Sequence, residues 1–216
     1  MIGYGILYLV LFRFLETRPV HGYYVIHTVF DDMIPFCEFF IIPYLLWFFY
    51  IVGAVMYFIF LNKNKHEYFQ LSFNLIMGMT IFLIVSYFYP NVQHLRPAIF
   101  PRENVFVDLV RHLYATDTPT NILPSIHVFN SLAVHMAISS CESLRDKKAV
   151  RYSSLVLCIL IILSTMFLKQ HSVIDVCLGA TLALFGAVFF YPAPAQEDAR
   201  QTAWNTRRER RRRLGM

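Results

Sequence analysis

Three short polar islands in this chain carry residue types that could do chemistry. They are Arg96-Pro97, Pro124-Ser125-Ile126-His127, and Ser164-Thr165 followed by Lys169, His171 and Asp175. Each lies at the end of a long apolar run, where ionisable groups are costly to keep and are functional candidates by default. His171 and Asp175 are four residues apart, which puts them on one face of a helix that starts there. A carboxylate so placed takes the proton of His171 Nδ1, fixes the tautomer and leaves Nε2 as a nucleophile or base. The competing reading is a buried His–Asp hydrogen bond that only pins two helices.

The second island has the order of a helix start, with Pro124 and then Ser125 as the cap before an apolar run. First-turn N–H groups from Ile126 onward would bind an anion, helped by the helix dipole. His127 would stand beside that anion as a general acid for a leaving oxygen. Ordinary capping with a His reaching toward the surface is the plainer alternative. Arg96 offers a planar fork for phosphoryl oxygens, and Lys169 a second positive charge near His171. Either could instead anchor the interface. Together the parts suit phosphoryl transfer through a phosphohistidine. They suit a metal less well, because no third ligand accompanies His127 and His171 and the cations would repel one. No cofactor is expected.

The elements that must position these islands are membrane spans. The 216 residues are 57% hydrophobic, with a mean hydropathy of +0.50, and the apolar residues fall in separate runs. Spans are expected at roughly 1–15, 36–61, 69–89, 125–140, 150–168 and 171–191, judged against the ~20 apolar residues that cross ~30 Å of hydrocarbon. The first and fourth are short by that measure. A removable signal peptide is rejected, since neither its basic start nor its cleavage pattern is present. The expected fold is all-α, a six-span transmembrane helical bundle over 1–192 with a basic cytoplasmic tail over 193–216. Most of the 19 basic residues fall in 63–65, 145–151 and 200–213, on one side of such a bundle, which the positive-inside rule makes cytoplasmic. All three islands then share the external face of a cell membrane. The tail fixes topology or binds anionic lipid; nucleic acid is not an expected partner. Cys37, Cys141, Cys158 and Cys177 show no paired spacing and read as apolar filler.

The order and spacing of the islands resemble the type 2 phosphatidic acid phosphatase superfamily, which includes lipid phosphate phosphatases and vanadium haloperoxidases. Its motifs are Lys-x6-Arg-Pro, Pro-Ser-Gly-His and Ser-Arg-x5-His-x3-Asp. Arg96-Pro97 matches the end of the first. Pro124 to His127 matches the second with Ile126 for Gly, and Ser164 to Asp175 matches the third with Thr165 for Arg. The resemblance implies His171 as nucleophile, Asp175 as its orienting partner and His127 as general acid. It also implies Arg96, Ser125, Ile126 and Ser164 around the phosphoryl oxygens. Two family cations are missing, at Tyr89 and Thr165; Lys169 is the first candidate to replace one and Arg102 the second. The Ser-Thr opening and the bulky Ile126 are similar to the inositolphosphotransferase-like branch, which passes the phosphoryl headgroup to an alcohol. A metal-independent lipid phosphate phosphatase is therefore the leading expectation. A lipid phosphotransferase is the alternative, and a non-catalytic lipid-binding protein the third reading.

Three further features are assigned no chemistry. His135 is expected in a buried polar contact. Asp31, Asp32 and Glu38 are expected on a solvated external edge. Gly179 and Ala183, spaced by four from Asp175, are expected to pack the sixth span closely.

Overall fold

Apolar runs broken by Pro, Asn and charged pairs give helices, and the chain builds little else. The computed structural model describes residues 2–191; the tail over 193–216 lies outside them, as does Pro192. The elements run α1 (Ile2–Thr17), β1 (Tyr24–Val25), α2 (Val29–Met33), α3 (Ile41–Met56), α4 (Lys65–Phe88) and β2 (Asn91–Val92). They continue with α5 (Val105–Thr116), α6 (Ile126–Ser140), α7 (Lys148–Phe167) and α8 (Val173–Phe190). A 3-10 turn, Glu38–Phe40, leads into α3, and a π-helical turn, Tyr57–Leu61, ends it. The two strands pair in parallel, Tyr24 with Asn91 and Val25 with Val92.

The protein is all-α, as its sequence implies. The stretches Glu38–Leu61, Lys65–Phe88, Lys148–Phe167 and Val173–Phe190 are long and apolar enough to cross a membrane. With 16 and 15 residues, α1 and α6 are shorter. The shortness of α6 has a packing reason. It is the hub of the bundle, in contact with α3, α4, α7 and α8. Val128, Phe129, Ala133, Val134 and Ala137 are buried along it. A helix enclosed by other helices meets protein rather than lipid, so it tolerates Asn130, Ser131 and His135 in its length.

The outer helices show the reverse pattern. Phe48, Phe49, Phe69, Phe73, Leu184, Phe185 and Val188 are exposed, an apolar surface of the extent that marks a membrane contact. Two glycines let the hub pack tightly. A Cβ on Gly78 of α4 would come within 2.0 Å of the Phe129 ring, and one on Gly179 of α8 within 2.6 Å of the Ser125 carbonyl oxygen. Ala183 is fully buried. The close packing expected of the Gly179–Ala183 face is therefore present, and it fixes α8 against the start of α6.

Candidate functional site

The starts of α6 and α8 and the end of α7 meet at one end of the bundle. Ser125 caps α6, its Oγ accepting from Val128 N at 3.4 Å. Its own N–H donates to the Asp175 carbonyl oxygen at 3.1 Å. Ile126 and His127 follow as the first helical residues, and the N–H groups of a first turn have no carbonyl within the helix to meet. His127 is held between Tyr44 and Trp47, with ring centroids 4.7 and 4.2 Å away.

His171 lies one residue before the α8 cap, not within the helix as its spacing from Asp175 suggests. Ser172 is the cap, and Asp175 folds back in a capping box. One oxygen of Asp175, Oδ2, accepts from Ser172 N at 2.9 Å and meets His171 Nδ1 at 3.1 Å. A carboxylate facing Nδ1 favours the tautomer with its proton there, which turns the Nε2 lone pair outward. That Nε2 lies 3.3 Å from His127 Nδ1. The pair is thus made by capping geometry rather than by helical stacking, with the same outcome for the imidazole.

A cavity of about 400 Å³ opens at the two histidines. Its polar end is His127, His171, Asp117 and Gln170, and its wall is apolar, from Leu9 and Phe12 of α1 to Trp47 and Phe48 of α3. Asp117 is a cavity residue that the sequence reading missed. Its carboxylate accepts from Tyr44 OH at 2.9 Å. Burial raises its pKa above the ordinary carboxylate value, against the lowering effects of the Tyr44 hydrogen bond, His171 and Arg96.

The remaining predicted residues face elsewhere. Arg96 is spread over three acceptors: the Tyr114 carbonyl at 3.1 Å, the Asp117 carbonyl at 2.7 Å and Gln170 Oε1 at 2.6 Å. It stacks on the Tyr114 ring at 4.4 Å, and burial lowers its pKa. It ties the loop carrying Asp117 to the residue beside His171 and is not among the cavity-lining side chains. Ser164 is fully buried, with Oγ donating to the Ile161 carbonyl at 2.6 Å. Lys169, at φ 53°, ends α7. Its Nζ donates to the Asp31 carbonyl at 2.6 Å and to that of Ile34, and burial lowers its pKa. Arg102 lies 3.4 Å from Glu38 Oε1. Tyr89 stacks on Tyr24, with centroids 4.2 Å apart.

Asp31 and Glu38 correct the sequence reading. Neither is a solvated edge: they are 2% and 0% exposed, whereas Asp32 is exposed. Asp31 accepts from Ser172 Oγ at 2.7 Å, Val173 N at 2.8 Å and Thr28 N at 2.8 Å. It therefore clamps the turn that carries His171. Glu38 accepts from Asn104 Nδ2 at 3.0 Å. Local sequence could not show this, because every hydrogen-bond partner named here except Thr28 lies 66 to 142 residues away. A usable signal existed for Tyr44 and Trp47, which are three apart on one helix face and include one of the chain's 2 tryptophans. His135 makes the polar contact expected of it, with Nδ1 3.0 Å from Ser154 Oγ. Among the described residues no group of three or more His, Cys, Asp and Glu gathers as a metal site.

The match of a family profile decides the kinship: the PAP2 superfamily aligns with residues 91–198, half of the chain. This protein belongs to the PAP2 superfamily. The matched segment contains all three polar islands and the cap of α8. Comparisons with curated proteins and with solved structures gave no match. Superfamily membership and the apolar helices together make it a membrane protein of phosphatase type.

Proposed function

We propose that the protein is a metal-independent lipid phosphate phosphatase working through a phosphohistidine. The observation that carries the proposal is the chain Asp175–His171–His127, with the Asp175 carboxylate at His171 Nδ1 and His171 Nε2 facing His127 at the cavity. His171 Nε2 attacks phosphorus in line. Asp175 holds the Nδ1 proton and stabilises the imidazolium character that develops. His127 gives the proton on its Nδ1 to the departing alkoxide or phosphate. The same nitrogen then takes a proton from water, which attacks phosphorus, breaks the bond to His171 Nε2 and releases inorganic phosphate. At 3.3 Å the two rings leave no room for a phosphoryl group between them, so they part when substrate enters. Phosphoryl oxygens then meet the Ile126 and His127 N–H groups at the α6 N-terminus. The apolar wall of α1 and α3 takes the lipid chain, and the positive-inside rule applied to the basic loops supports an extracytoplasmic position for this end of the bundle.

The same apolar wall favours one second reading, a phosphotransferase whose acceptor is a lipid alcohol. Both share the first half-reaction. The test is phosphate release from a panel of lipid phosphates by purified protein in EDTA, with His171→Ala alongside. Turnover that survives chelation and is lost in the variant is the expected result. Labelled product lipid that forms only with an added alcohol, without free phosphate, would replace hydrolysis by transfer. Full activity in a normally inserted His171→Ala protein would end both readings.

A further inference from the structure

The end of the bundle opposite His171 carries charge that the candidate site does not use. α7 starts there with no acidic residue in its first turn, and Lys147 at its cap supplies no side-chain hydrogen bond. Lys148 and Arg151 follow three apart, on one helix face. Cations at a helix N-terminus oppose the dipole, so an anion beside them relieves a real cost. Among the described residues neither side chain pairs with a carboxylate. Arg151 reaches only the Arg145 carbonyl, at 3.4 Å.

A second cavity, of about 220 Å³, lies at these two cations and is completed by His135 and Ser139 of α6 and by Tyr152 and Leu155 of α7. Its polar floor is fixed from within the bundle. His135 Nδ1 meets Ser154 Oγ at 3.0 Å, Ser154 Oγ meets Tyr50 OH at 2.7 Å, and Ser139 Oγ lies 3.4 Å from His135 Nε2. Beyond the cations α7 exposes Tyr152, Leu155, Val156 and Ile159, an apolar stripe continuing from the cavity. Basic loops set membrane topology by charge alone, and that role needs neither a cavity nor a fixed polar floor.

We infer that this cavity holds the anionic phosphate headgroup of a phospholipid. Lys148 and Arg151 take the phosphate oxygens, Ser139 adds a hydroxyl donor, and the acyl chains lie along Tyr152 to Ile159. His135 and Ser139 lie about 12 and 18 Å along α6 from His127, so lipid bound here is out of reach of His171 and is retained rather than turned over.

The test is lipid retention by the full-length chain in detergent, read by native mass spectrometry during titration with phosphatidylglycerol and, separately, phosphatidylcholine. One retained phosphatidylglycerol and weaker phosphatidylcholine are expected. Lys148→Gln with Arg151→Gln should weaken that retention about tenfold or more, and Lys148→Arg with Arg151→Lys should restore it. Leu155→Glu, an exposed position whose carboxylate would occupy the cations, should give the same loss with an unchanged gel-filtration profile. Undiminished retention in either loss variant overturns the inference and assigns the lipid to another surface, the basic tail included. Displacement of the lipid by millimolar inorganic phosphate also overturns it, in favour of a free-anion site.

Discussion

α6 and α8 begin side by side, yet their N-termini are treated in opposite ways. At α8 the protein supplies its own anions: Asp175 closes a capping box, and Asp31 reaches in from 141 residues away to accept from Ser172 Oγ. Val173 N is satisfied by Asp31 as well. At α6 the only side-chain cap among the described residues is Ser125, through a long contact to Val128 N, and none of their carboxylates is given to Ile126 or His127. Both ends attract negative charge for the same reason. The filled terminus holds the residues around His171 in one arrangement, and under the proposed function the open one receives the phosphoryl group.

The largest expected effects come from the histidines that join the two termini. His171→Ala should lower turnover by about 10⁴-fold or more, and His127→Ala by about 10²–10⁴-fold, both measured as phosphate release. Less loss in His127→Ala with a good leaving group such as a nitrophenyl ester would identify it as the acid. The open terminus can be tested with its helix kept. Ile126→Pro removes one N–H at a first helical position that accepts proline, and Ser125 already has the extended backbone that a following proline requires. A phosphate analogue such as orthovanadate should then bind about 10–100-fold more weakly, the worth of one hydrogen bond to a charged group. Unchanged affinity would show that the anion does not sit at α6.

The filled terminus predicts a different signature. Asp31→Asn leaves two donors at the α8 start with a poorer acceptor and should cost about 1–3 kcal/mol of stability, read as a lower unfolding midpoint. It should also lower kcat with KM little changed, since His171 loses its fixed orientation but the binding terminus is untouched. A fall in KM-determined affinity alone would argue against this division of labour. Gly179→Ala probes the junction between the two termini. Its new Cβ meets the Ser125 carbonyl at 2.6 Å, so about 1–3 kcal/mol of overpacking is expected, measured by thermal unfolding in detergent.

The smallest effect is a pH slope. Asp117 has its folded pKa raised, chiefly by burial, so the unfolded chain loses this proton first. As pH rises from the ordinary carboxylate value near ~4 through the higher folded value, the unfolded state binds fewer protons and stability declines. Asp117→Asn should remove that decline and flatten the profile of the unfolding midpoint across this window. A slope of the same size in the variant would assign it to another group.

Sequence alone was enough for the helical class, the four long apolar stretches and the grouping of His127, His171 and Asp175. Hydropathy works over a window of one helix, and the motif spacing lies within two chain segments, so neither needs long-range information. The cap at Ser125 and the tight Gly179 face were legible for the same reason. What Arg96, Ser164 and Lys169 touch was not legible, because a cation or hydroxyl takes whichever acceptor the fold brings nearest. Here those acceptors are the backbone carbonyls of residues 114, 117, 161, 31 and 34, with the Gln170 side chain also holding Arg96. The burial of Asp31 and Glu38 was equally hidden, since local polarity says exposed and only a distant helix start or Asn104 makes burial tolerable. Chain order determined which residues could act, and tertiary packing decided which charges turn inward to hold the site and which group, Asp117, stands in the cavity where sequence had placed cations.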